Sequence, residues 1–143
     1  MRVLGIDLGS KRIGLALSDP RRILATPHSV VLRAKRRDDD HRKINDVVQE
    51  WEVARIVVGL PLSLDGSVGR AAKAAIREAK ELGVVTGVPI ETYDERLTTV
   101  SAHQVLREQG VAGADRKHVV DKVAAAVLLQ AWLDGQAEPP ESR

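Results

Sequence analysis

The sequence contains no cysteine and no phenylalanine, and Trp51, Tyr93 and Trp132 are its only aromatic residues. Without thiols there is no disulfide framework, thiolate metal site or cysteine nucleophile, and the composition fits a reducing compartment. With so few rings there is no row of aromatics on which bases could stack, so any contact with nucleic acid must run through backbone and shape. No apolar run approaches the roughly 20 residues that cross a bilayer. The first apolar stretch is broken by Asp7 and shows no secretory cleavage pattern. These absences predict a cytoplasmic protein with no membrane partner. The 143 residues carry a formal charge of +2, which permits a basic binding face without demanding one. That length suits one domain, here residues 1–135, with a core of Val, Leu, Ile and Ala, and is too short for two lobes around a cleft.

What the sequence does contain is an acid where acids are costly. Asp7 sits in the apolar run Val3 Leu4 Gly5 Ile6 Asp7 and is followed by Leu8 Gly9 Ser10 Lys11 Arg12 Ile13 Gly14. A carboxylate there is penalised by desolvation unless it meets a cation, a donor or water at a strand end. Glu95 closes a second strand-like run, Val88 to Glu95, just before Arg96 Leu97 Thr98 Thr99. Asp121 lies in a helical pattern from about Lys117 to Asp134. There it shares a face with Ala124, Ala125, Leu128 and Trp132.

The periodicities order these residues. Val3 to Leu8 and Arg12 to Ser18 read as strands joined through Gly9, Ser10 and Lys11, and Pro27 to Leu32 reads as a third strand. The charged stretch Arg33 to Asp40 leads into a helix marked by Ile44, Val47, Val48 and Trp51; its acids suit the helix start, and its basic run Arg33 to Arg37 reads as a solvated loop rather than a track for nucleic-acid backbone. Arg55 to Leu60 reads as a buried parallel strand. The loop Gly59 to Gly69 then opens an alanine-rich helix near Gly66 and Ser67, which ends at about Leu82 with Gly83 as its cap. The strand ending at Glu95, a helix near Thr99 to Gln109, a Gly110 to Gly113 break and the last helix complete the order. Residues 136–143 are polar, contain Pro139 and Pro140, and read as a disordered tail. A meander followed by crossovers implies an α/β fold: a mixed five-stranded sheet covered by helices, with the three-strand meander first. In such sheets sites gather beyond the carboxyl ends of parallel strands, where Asp7 and Glu95 fall.

Three inward acids far apart in sequence point to one cluster. Two unit charges about 4 Å apart repel by roughly 4 kcal/mol at an effective dielectric near 20, so a cluster favours a proton or a cation. Oxygen donors without imidazole or thiolate suit Mg²⁺ or Mn²⁺. Two such ions can activate water and stabilise the leaving oxygen in phosphodiester cleavage. His28, His41, His103 and His118 show no ligand spacing and read as surface residues.

Four blocks then carry a resemblance. Gly5 to Ala16, Val58 Gly59 Leu60 Pro61 Leu62 with Asp65 Gly66 Ser67, Tyr93 to Thr99, and Asp121 with Ala124 Ala125 resemble the signature blocks of the YqgF/RuvX family, in family order. The resemblance implies a ribonuclease H-like fold and a nuclease that matures pre-16S rRNA or resolves Holliday junctions. Asp7, Glu95 and Asp121 match the family's acidic triad. The implied partner is nucleic acid, either pre-16S rRNA or branched DNA, with ribosome association and either a monomer or a homodimer.

Lys11 and Arg12, in the first turn, read as phosphate contacts. Gly66 and Ser67 offer amides to a phosphate, with helix capping by Ser67 as the plain alternative. Arg96 either stabilises developing charge or neutralises Asp94 and Glu95, and Asp94 competes with Glu95 as ligand because the sheet register is not legible from sequence. Two other functions fit parts of the pattern. A noncatalytic nucleic-acid-binding module gains nothing from acids that repel phosphate. An actin-like ATPase or sugar kinase, suggested by Ile6 to Ser10, needs a second lobe.

Overall fold

A computed structural model describes residues 1–98 and 113–136, in 113–120 by backbone alone. The helix expected near 99–109 and the tail 137–143 lie outside the described residues. Strands β1 (Arg2–Leu8), β2 (Arg12–Ser18) and β3 (Ala25–Leu32) form the meander; helix α1 (Arg37–Glu50), β4 (Val53–Leu60), α2 (Arg70–Thr86), β5 (Ile90–Asp94) and α3 (Gly113–Gln136) follow. The sheet order is β3-β2-β1-β4-β5. β1 pairs antiparallel with β2 and parallel with β4, and β4 pairs parallel with β5. The carboxyl ends of β1, β4 and β5 therefore lie at one sheet end, together with the start of β2.

Alternation along the strands sends two kinds of side chain to the two faces. Leu4, Ile6, Ile13, Leu15, Ile56 and Val58 pack with Ile44 and Val48 of α1 and Leu82 of α2. Each such side chain contributes roughly 1.5–3 kcal/mol on full burial, so this large-residue face is the main source of stability. The other face is lined by small residues. Val3, Ala16 and Val57 meet Ala125, Leu129 and Trp132 of α3. A Cβ on Gly5 would stand 2.7 Å from the Leu129 Cβ, closer than packed carbons approach, so α3 lies nearer the sheet than a larger residue would allow. Among the described residues no helix is long and apolar enough to cross a membrane.

The structure moves several expected boundaries. β3 starts at Ala25, whose amide donates to Gln130 Oε1 at 2.8 Å, and so begins earlier than Pro27. Helix α2 begins at Arg70 rather than near Ser67, with Gly69 as N-cap. It also runs through Gly83 and stops at Gly87, whose left-handed φ of 69° and amide bond to the Gly83 carbonyl form the cap. Gly83 is a tolerated helical glycine, and the left-handed turn together with Pro89 ends the helix.

The basic stretch also departs from expectation. Arg33 is half-buried: its guanidinium donates to both oxygens of Glu78 at 2.7 and 2.9 Å and, through Nε, to the Gly9 carbonyl at 3.0 Å. Arg37 pairs with Glu81 at 2.6 Å. Nor is His41 a surface residue; it is buried, with Nε2 2.9 Å from Glu78 Oε2. Arg33, Glu78 and His41 form one network that joins α1, α2 and the β1–β2 turn. Residues 35–43 read as polar, and only packing shows that some of that polarity faces inward.

Candidate active site

The site is built where Asp7, late in β1, lies opposite Gly14 of β2 in the antiparallel ladder. Both belong to the face covered by α3. A Cβ on Gly14 would collide with the carbonyl oxygen of Asp121. The missing side chain thus seats the α3 backbone directly over the strand pair that holds Asp7. On β4 a Cβ at Gly59 would come 3.2 Å from Glu95 Oε2 and 3.5 Å from Leu128 Cδ2, so Glu95 reaches over the same face. Two glycines on the strands that flank β1 make the clearance that brings the three expected acids together.

The electrostatics report the same convergence. The Asp7 carboxyl is pushed up to about 7, first by burial and then by repulsion from Glu95 and Asp121. Burial also raises Glu95. Asp121 is half-buried and has a local counter-charge, Arg12, whose Nε donates to its Oδ2 at 2.6 Å. Arg12 therefore binds a member of the acidic group across 109 residues of sequence. Lys11 is exposed in the turn beside it.

The choice between the neighbouring acids at the end of β5 follows from parity. Glu91 and Tyr93 face α3, where Trp132 Nε1 donates to Glu91 Oε2 at 2.7 Å, and Asp94 points the other way. Asp94 is gripped by Arg96: Nε donates to Oδ1 at 3.0 Å and Nη2 to Oδ2 at 2.7 Å, while the Arg96 amide donates to Oδ1 at 3.0 Å. This fork holds the Asp94 carboxyl below its ordinary value. The chain turns in a single 3-10 turn at Glu95–Leu97, which returns Glu95 to the α3 side. Arg96 thus neutralises Asp94, and its Nη1 also donates to the Leu64 carbonyl at 3.1 Å, tying the β4–α2 loop to the end of β5. Ser67 is exposed, and its amide donates to Asp65 Oδ1 at 2.9 Å. Because α2 starts three residues later, Ser67 neither opens nor caps it.

Sequence reading missed the roles of Gly14, Gly59 and Arg33. The first two stand inside the quoted blocks, and a glycine in mid-strand is a legible sign of close backbone approach. Arg33 carried no such sign, because its partners Gly9 and Glu78 are distant in sequence. Among the described residues, no three acidic or imidazole side chains already meet as a metal-ligand set. The donor chemistry nonetheless suits a hard cation: the acids offer oxygen only, and a carboxyl raised by burial and then by two like charges gains from positive charge placed among them.

With this geometry in place, the comparisons with known proteins decide the family. Residues 1–135 match the model of RuvX, described as Holliday junction resolvase. The chain belongs to the RuvX family. A relative from Anaeromyxobacter sp. (strain Fw109-5), named "Putative pre-16S rRNA nuclease", is 52% identical over 136 residues, spanning 95% of this chain and 98% of the relative. Another of the same name, from Mycobacterium leprae (strain TN), is 50% identical over 135 residues, spanning 93% and 72%. In fold the chain is similar to T. thermophilus RuvC in complex with Holliday junction substrate. That chain has a TM-score of 0.58 at 19% identity, with 93% of this chain and 96% of that one covered. The Fowlpox virus resolvase bound to Holliday junction DNA gives 0.59 at 8% identity. These two likenesses establish the resolvase-type, ribonuclease H-like fold.

Proposed function

We propose that this chain is a nuclease that hydrolyses phosphodiester bonds in structured nucleic acid, with Asp7, Glu95 and Asp121 as its catalytic acids and precursor 16S rRNA as its substrate. The observation that carries the reading is the gathering of these acids from three distant segments onto one sheet face. Glycines clear the way for them, and burial together with their mutual repulsion pushes the Asp7 carboxyl up to about 7. The names of the relatives at about half identity supply the substrate.

In this reading the carboxylates of Asp7, Glu95 and Asp121 would hold Mg²⁺ or Mn²⁺. The chemistry such ions supply when bound is stabilisation of charge at the scissile phosphate and activation of the attacking water. The protein's own groups do the rest. Arg12 fixes the Asp121 carboxylate through Oδ2, so that the acid keeps its orientation when phosphate approaches. Lys11, exposed beside it, and Arg12 bring positive charge to a neighbouring phosphate. Arg96 holds the β4–α2 loop, including the turn at Ser67, along the rim of the site. Residues 1–135 act as one nuclease domain in the cytoplasm, in association with ribosomal precursors.

The test incubates wild type and Asp7→Asn with labelled 16S rRNA precursor and with a four-way DNA junction, under Mg²⁺, Mn²⁺ or chelator. Metal-dependent cleavage of the precursor by wild type alone is expected. Cutting of the junction alone would replace ribosomal RNA by branched DNA as the substrate, and symmetric paired cuts would indicate a dimer. Cleavage that survives in Asp7→Asn would sink the assignment of the acids.

A further inference from the structure

Helix α2 presents Arg70, Lys73, Arg77 and Lys80 at intervals of three, four and three residues, which places them on one helical face. All four are exposed, opposite the buried stripe Ala72, Ala75, Ala79 and Leu82. None of them has an ion-pair partner among the described residues. The acids of the helix are spoken for: Glu78 turns inward to Arg33 and His41, and Glu81 binds Arg37. The stripe's four charges exceed the whole chain's formal +2.

The placement also runs against helix stability. No acid stands in the first turn of α2, where Arg70 and Lys73 face the positive end of the helix dipole, and no base stands in the last turn. An ordinary solvated face mixes both signs. Here four cations without an ion-pair partner among the described residues form a regular row about 15 Å long, taking 1.5 Å per residue, and the one acid on that face, Glu81, is bound to Arg37.

The row starts at the sheet end that carries Asp7 and Glu95, because α2 follows the loop after β4. Beside it the helix exposes alanines, Glu81 in its pair with Arg37, and Val84 and Val85, so it lacks the apolar centre a protein interface is built around. A polyanion with evenly spaced charges fits it better. At about 3.4 Å of axial rise per phosphate on one strand, the row matches about four phosphates.

We propose that the α2 stripe binds the backbone of the nucleic-acid substrate beside the bond that is cut, which extends the footprint from the acidic site onto the outward face of α2. The identity of that nucleic acid rests on the nuclease reading; the binding itself does not.

The full-length protein in chelator is titrated into a labelled double-stranded RNA of about 20 base pairs, and anisotropy is followed over a range of salt concentrations. Arg77→Gln/Lys80→Gln removes the two cations farthest from the site. Arg21→Gln/Lys43→Gln, exposed positions elsewhere, removes the same net charge and serves as the reference. The stripe variant is expected to bind roughly tenfold or more weakly at 0.1 M salt, with a log–log salt slope shallower by about 1.5–2, while the reference changes little. Circular dichroism should show both variants folded. Equal affinity and slope for the two variants would overturn the proposal and leave the stripe to an acidic protein surface. Stripe-dependent binding by a protein that cuts no substrate in any metal would uphold the stripe and defeat the nuclease reading. Asp7-dependent cleavage with a silent stripe would do the reverse.

Discussion

Asp7→Asn should abolish cleavage and, in chelator, make the fold more stable. The Asp7 carboxyl stands at about 7 in the folded chain against an ordinary value of 3.8, because it is buried and faces Glu95 and Asp121. An acid raised on folding binds a proton more tightly in the native state, so its contribution to stability falls as pH rises. The penalty begins above the unfolded value, grows through the interval between 3.8 and 7, and is constant above it. At 1.36 kcal/mol per unit, the full interval corresponds to about 4 kcal/mol as a ceiling. Water entry and side-chain relaxation reduce this to roughly 1–3 kcal/mol.

Asparagine keeps the shape and removes the charge. Urea unfolding of wild type and Asp7→Asn in chelator at several pH values should give curves that coincide near pH 3.5 and separate up to pH 7–8, the variant being more stable by roughly 1–3 kcal/mol. Added Mg²⁺ should narrow the gap by stabilising wild type alone. A variant less stable than wild type at pH 8, or a gap independent of pH, would refute the claim that the acids are held together at an electrostatic cost. Such a result would make Asp7 an ordinary structural carboxylate.

Three further outcomes follow from the geometry. Gly14→Ala places a methyl against the Asp121 carbonyl, so it should cost about 1–3 kcal/mol and remove nearly all cleavage by lifting α3, with far-UV dichroism unchanged. Glu78→Gln leaves Arg33 without its charged fork, and denaturant unfolding at pH 7 should register a loss of about 2–4 kcal/mol. Because the Arg33 and His41 hydrogen bonds bring the Glu78 carboxyl below its ordinary value in spite of burial, this stability is full above the unfolded carboxylate range and is lost on acidification. Wild type and variant should therefore converge at low pH. Asp94→Asn should keep most cleavage while Glu95→Gln loses it, measured on the same labelled precursor. Equal loss in both would mean that Asp94 serves the site alongside Glu95, against the parity of β5.

The sequence announced the elements whose chemistry is local. An acid ending an apolar strand, a turn at Gly9 to Lys11 and an acid on the apolar side of the last helix are legible because strand and helix periods fix which residues share a face. What it left open needed contacts between distant segments. Asp94 and Glu95 are equivalent until the register of β5 against β4 is known, and the pairing of Gly59 with Tyr93 supplies it. Arg12 reads as a phosphate contact on its own turn, yet its nearest acid is Asp121. Gly83 and Gly87 look alike as helix stops. Only the left-handed backbone at Gly87 tells them apart.

The two sheet faces divide stability from chemistry. Leu, Ile and Val on the α1/α2 side provide the bulk of the buried apolar surface, and the Arg33–Glu78–His41 network closes that side at the site end of the sheet. The α3 side gives up side-chain volume at Gly5, Gly14 and Gly59, and so forfeits packing energy where the acids gather. The two sides meet at Arg33, whose Nε holds the Gly9 carbonyl and whose amide holds the Lys11 carbonyl at 2.9 Å. Rigidity on the large-residue side thereby reaches the turn that presents Lys11 and Arg12 beside Asp7. The repulsive group is held in place by an attractive network on the far face of the same sheet. A site assembled from mutually repelling carboxylates requires such a division, because the elements that carry the charge cannot also supply the stability that confines it.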